Sequence, residues 1–100
     1  MAVTYATARA ACVARYGEPP SRDERPARST VAWAVGPRRD GGCDFLWLEC
    51  AEGRVVLTAQ AGAVERVWTL AGDPTPDAPA ATLPDALDAA DAFLRTHGAP

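Results

Sequence analysis

Between Thr30 and Leu70 the side chains alternate in character from one residue to the next, and only short turn-forming stretches interrupt the pattern. A period of two puts successive side chains on opposite faces of an extended backbone, so this stretch predicts strands. From Thr30, Val31, Trp33 and Val35 point one way while Ala32 and Ala34 point the other, which makes a first strand. Gly36 to Gly42 follows, with glycine at both ends and a proline at its entry, and reads as a hairpin loop. Cys43 to Cys50 sets Phe45, Trp47 and Glu49 on one face against Leu46, Leu48 and Cys50 on the other. Both of its faces have apolar groups to cover, which predicts a central strand. Ala51-Glu52-Gly53 closes a tight hairpin, and Arg54 to Gln60 sets Val55, Leu57 and Ala59 against Val56, Thr58 and Gln60. After Ala61-Gly62, Val64 to Leu70 forms a fourth strand with Val64, Trp68 and Leu70 on one side. Four consecutive hairpin-linked strands imply an antiparallel meander.

The flanks carry a different period. Tyr5, Ala8, Cys12 and Tyr16 fall at spacings of three and four, predicting an amphipathic helix from about Val3 to Tyr16 that Gly17 ends. Near the other end Thr82 is placed to cap a helix, with Asp85 three residues on in the manner of a capping box. Leu83, Leu87, Ala90 and Leu94 form its stripe, Asp85, Asp88, Asp91 and Arg95 its opposite face, and Gly98 stops it near His97. Two stretches resist both periods. Residues 18–29 pack Pro19, Pro20 and Pro26 among charges, and residues 72–81 hold Pro74, Pro76 and Pro79. Both are expected to be exposed connections.

The fold expected is therefore α+β, with an N-terminal helix, a four-stranded antiparallel meander and a C-terminal helix, the helices on one face of the sheet. One hundred residues suffice for a single domain of this kind. No apolar run approaches a membrane span, and the opening residues lack the unbroken apolar core of a secretory signal. All ten basic residues are arginine, an ordinary outcome for a GC-rich coding sequence, and the reading that fits is a bacterial, cytoplasmic protein.

Charge and motif content then narrow the function classes. The net charge is −3, which offers no general attraction to nucleic acid or an anionic membrane. Residues 1–42 nevertheless hold seven arginines against four acids, and Arg38 and Arg39, with Arg22, Arg25 and Arg28, form a candidate anion-binding set in two loops. Acids interleave with them, and no aromatic lies beside them to stack a base. Cys12, Cys43 and Cys50 are odd in number and match no CxxC spacing, so reduced thiols are expected. With His97 they make a nominal Cys₃His set, but positions 43 and 50 of one strand face opposite ways. The acids of the last helix repeat every three residues without forming a calcium loop and read as a solvated face. No glycine-rich phosphate loop is present, and no metal or cofactor is expected.

What remains is the tryptophan usage. Trp33, Trp47 and Trp68 all fall in predicted strands, while two helices cover only one face of a sheet. If Trp33, Phe45 and Trp47 line the other face, it is too apolar to be left in water and marks an interface. The expectation is a non-enzymatic interaction protein, such as an adaptor, a secretion-type chaperone or a toxin-neutralising partner, that forms a homodimer or docks on a protein partner through these aromatics. A second expectation is an aromatic small-molecule pocket or small active site with Cys43, Glu49 or His97 as its polar groups, Asp44 orienting the histidine if Cys43 is a nucleophile. A third is anion or nucleic-acid recognition by the loop arginines, with Arg38 and Arg39 foremost.

Overall fold

In a computed structural model that describes residues 3–37 and 43–97, helix α1 spans Tyr5–Tyr16 and starts at the Thr4 cap, whose hydroxyl accepts the Thr7 N–H at 3.1 Å. It ends at Gly17, where φ is +88° and the N–H reaches the Val13 carbonyl at 2.8 Å. A side chain at this backbone angle is strained, so glycine is the residue that lets the chain turn off the helix. Five strands follow: β1 (Ser21–Glu24), β2 (Arg28–Pro37), β3 (Cys43–Ala51), β4 (Arg54–Ala61) and β5 (Val64–Ala71). They pair antiparallel in chain order, β1-β2-β3-β4-β5, which puts β3 at the centre. Helix α2 (Leu83–His97) closes the chain, and Thr82 caps it by accepting the Asp85 N–H at 3.3 Å.

The sheet has one strand more than expected. Residues 21–24 lie inside a stretch whose prolines and charges argue against regular structure, yet they pair with Ala32 to Ser29 of β2. All four are exposed, so no alternation betrays them. What holds the strand is polar: Glu24 accepts from the Tyr5 hydroxyl at 2.8 Å and takes the Arg9 guanidinium at 2.9 and 3.1 Å. Gly98 and the tip of the hairpin between β2 and β3 lie outside the described residues.

Both helices lie on one face and enclose the core. Val31, Leu46, Leu48 and Leu57 pack from the strands against Ala8 and Cys12 of α1 and Ala86, Leu87, Ala90 and Phe93 of α2. Each buried leucine contributes roughly 1.5–3 kcal/mol by leaving water. The helices are also tied to each other. Arg15 reaches Asp91 at 2.6 Å and Asp88 at 3.2 Å, and the Tyr16 hydroxyl donates to Asp91. The row of acids read as a solvated face is thus partly an inter-helix contact, with Asp85 left exposed.

The proline-rich connection after β5 runs as a strap along the sheet edge. The Thr69 N–H donates to the Pro79 carbonyl at 2.9 Å, and the Ala81 N–H returns to the Thr69 carbonyl at 3.1 Å, a parallel bridge. The Thr69 side chain, 2% exposed, donates to the Ala78 carbonyl at 2.8 Å and accepts from Arg54 at 3.2 Å. Gly72, at φ +90°, lets the chain leave β5 closely against Arg54, where a Cβ would lie 3.0 Å from the Arg54 backbone. Just before the bridge, Thr75 and Ala78 exchange two backbone bonds in a tight turn.

Candidate interaction face

The strand register decides which aromatics share a face. Ala32 stands opposite Trp47, Trp47 opposite Thr58, and Thr58 opposite Val67, one continuous row across β2 to β5. The next row runs Ala34, Phe45, Gln60, Glu65, and the row on the other side runs Thr30, Glu49, Val56, Thr69. These rows make up the face that the helices do not touch. Phe45 is 42% exposed there, and Trp47 is half-buried.

Trp33 does not belong to it. It stands opposite Leu46, on the covered face, and is 3% exposed. Its indole N–H donates to the Gly17 carbonyl at 2.8 Å, and its ring lies 6.2 Å from that of Tyr16, tilted by 50°. The expected trio of Trp33, Phe45 and Trp47 is therefore split, with Trp33 in the core and Phe45 and Trp47 on the open face. The cause is the register across the β2–β3 hairpin, which sets Ala34 and not Trp33 beside Phe45 and includes an irregularity between Ala34 and Pro37. Alternation within a strand reveals which residues share a side; it does not reveal how two strands line up.

Trp47 is held in place by charge. Its indole N–H donates to Glu49 Oε1 at 3.2 Å, and Arg28 donates to Glu49 Oε2 at 3.0 Å. With its one polar atom satisfied, the ring presents apolar surface, and the carboxylate that orients it is balanced by a guanidinium. Thr58, in the same row, is 4% exposed. Neighbouring charges on this side pair as well, Arg25 donating to Asp23 at 2.9 Å. The Arg28–Glu49 contact was the feature least legible in the sequence, because its partners are 21 residues apart and meet only through the β2–β3 register.

The residues expected for the other two readings are scattered. Glu49 sits on the open face, whereas His97 lies at the end of α2 with its ring 4.9 Å from that of Phe93. Cys43 opens β3, and its side chain lies outside the described residues, as do Arg38 and Arg39. Arg22, Arg25 and Arg28 belong to β1, β2 and their connection, with Arg25 and Arg28 engaged as above. Cys12 is buried in the core, which pushes its thiol up to about 11, with Arg15 opposing weakly, and Cys50 is half-buried and free. Among the described residues no three histidines, cysteines or acids converge as a metal site.

On the covered side, a shallow cleft of about 310 Å³ lies between α2 and the β2–β3 end of the sheet, lined by Val35, Asp44, Asp91, Leu94 and Arg95. Asp44 is buried there, and Asp91 is the residue that ties the two helices together. Comparison with known proteins finds no matching family, no matching curated protein and no matching solved structure.

Proposed function

We propose that this protein is a non-catalytic interaction module that self-associates through the open sheet face, with Phe45 and Trp47 as its anchors. One observation carries the reading: a large aromatic, Phe45, stands 42% exposed beside a tryptophan whose polar atom is already bonded, on a face with no helix over it. Apolar surface arranged in this way gains by meeting apolar surface.

A second copy is the partner that the charges favour. The whole chain carries −3, but beside the aromatic rows Arg28 pairs with Glu49 and Arg25 with Asp23, which leaves Glu65, at the β5 end of the Phe45 row, as the unpaired charge of these rows among the described residues. Two identical faces of this kind meet with the charges beside Trp47 already balanced. Five strands about 4.8 Å apart and three side-chain rows give roughly 400–500 Å² per copy in projection, below the ~800 Å² of a standard interface. The dimer expected is a reversible one, in the micromolar range.

Sedimentation velocity over a concentration series tests this. The unaltered chain is expected to move from monomer to dimer, and Phe45→Ser combined with Trp47→Ala to weaken that step at least about tenfold while leaving the far-ultraviolet circular dichroism unchanged. A chain that stays monomeric at hundreds of micromolar, or a double variant that dimerises equally well, overturns the proposal.

A further inference from the structure

The open edge of β5 is a second surface of a different kind. Thr69 turns its N–H and C=O outward, since both bond to the strap. Backbone direction alternates along a strand, so Val67 and Glu65 turn theirs outward as well, while Arg66 and Trp68 bond inward to β4 opposite Ala59 and Leu57. Among the described residues these outward groups meet no backbone partner, and the Glu65 carbonyl takes only the Arg66 guanidinium at 3.1 Å. Beside them runs a groove of about 540 Å³, walled on its far side by Pro76, Asp77 and Pro79. The strap turns at Thr75 and Ala78 before it pairs at Thr69, and the groove lies between that turn and this length of edge.

We propose that this edge receives an extended peptide from another protein as a sixth strand, selected by its charges. A second copy of β5 fits badly, for a reason that lies in the register. Hydrogen bonding across a two-fold axis requires outward residues to face outward residues. Centred on Arg66, such a pairing sets Arg66 against Arg66 of the other copy. Centred on Glu65, it sets two glutamates together. Centred on Val67, it calls on Thr69, which the strap already occupies. The register that would match Glu65 with Arg66 faces outward groups against inward ones and forms no ladder. A foreign strand meets none of these obstacles. Running antiparallel, it places an apolar residue opposite Val67, then an acid opposite Arg66, then a base opposite Glu65, a segment of the form apolar-acidic-basic.

The test uses the full chain, labelled with nitrogen-15, titrated to millimolar concentration with the peptide acetyl-Thr-Val-Glu-Lys-Ser-Gly-amide and followed by amide shifts. The expected result is saturable movement of the Glu65 and Val67 amides. Binding is expected to weaken about tenfold when the central pair is reversed to Lys-Glu, and to be lost when the peptide valine is N-methylated. Glu65→Arg combined with Arg66→Glu is expected to reverse the preference between the two peptides. Because the peptide changes need no variant of the protein, the result stands even if the double substitution impairs folding. Absence of binding, equal binding of matched and reversed peptides, or binding that survives N-methylation overturns the proposal.

Discussion

Trp33 and Trp47 lie on adjacent strands and on opposite faces, and the molecule uses the same side chain in two ways. Trp33 is closed under the helices, with its N–H on the backbone carbonyl of Gly17. Trp47 keeps part of its ring in water and bonds its N–H to a carboxylate that an arginine steadies. In one case the hydrogen bond completes a core; in the other it satisfies the polar atom of a half-buried ring on the open face. A tryptophan's partner is thus as informative as its burial. A backbone acceptor near a helix end belongs to packing, while a paired carboxylate on an open face leaves an apolar plate available for contact.

The sharpest way to break this contrast is to truncate each ring. Trp33→Ala is expected to cost about 3–5 kcal/mol in urea unfolding, because a cavity opens in the core beside the end of α1. Trp47→Ala is expected to cost about 1 kcal/mol and to act on self-association instead. Comparable losses of stability would remove the distinction between the two faces.

An intermediate effect is expected where the strap meets the edge. Thr69→Val keeps the volume but leaves the Ala78 carbonyl without the hydroxyl donor, at a cost of about 1–2 kcal/mol. The same substitution is expected to speed amide exchange at Ala81, whose N–H bonds to the Thr69 carbonyl. Unchanged exchange would show that the backbone bridge alone holds the strap.

The smallest effect belongs to β1. The Arg9 guanidinium and the Tyr5 hydroxyl, with a small opposing effect of burial, hold the Glu24 carboxyl below its ordinary value of 4.5. A carboxyl depressed on folding stabilises the fold above its unfolded value, and that contribution is lost as the pH falls through the lowered one. Burial first, and then Glu24, pushes the Tyr5 hydroxyl up to about 12, so Tyr5 stays a donor across the neutral range. Amide exchange in Ser21–Glu24 is therefore expected to accelerate in acid relative to β3, and Glu24→Gln to flatten that dependence. A β1 that opens no sooner than the rest of the sheet on acidification would contradict this account.

The meander and both helices were legible because their stripes are apolar and regular. Leu46 and Leu48 in β3 and Val55 and Leu57 in β4 fall two residues apart, and Thr82 with Asp85 marks the start of α2. The central place of β3 was legible too, since Phe45 and Trp47 on one side and Leu46 and Leu48 on the other leave it no polar face. β1 was not, because an edge strand exposed on both faces has no pattern and is secured by side chains from a helix many residues away. Nor was the separation of Trp33 from Trp47, which depends on how two strands are offset across their hairpin.

Every strand pairs with its neighbour in sequence, and the helix that seals much of the core comes after all of them. A chain made from its N-terminus can therefore zip its hairpins one after another while it is still being synthesised. Until Ala86, Leu87, Ala90 and Phe93 emerge, however, the half-made sheet shows Leu57 and Leu70 on one side and Phe45 and Trp47 on the other. The fifteen-residue helix thus converts a sheet with apolar side chains bare on both faces into one whose helix-side face is covered, and the interval before it docks is when this chain is most exposed to aggregation.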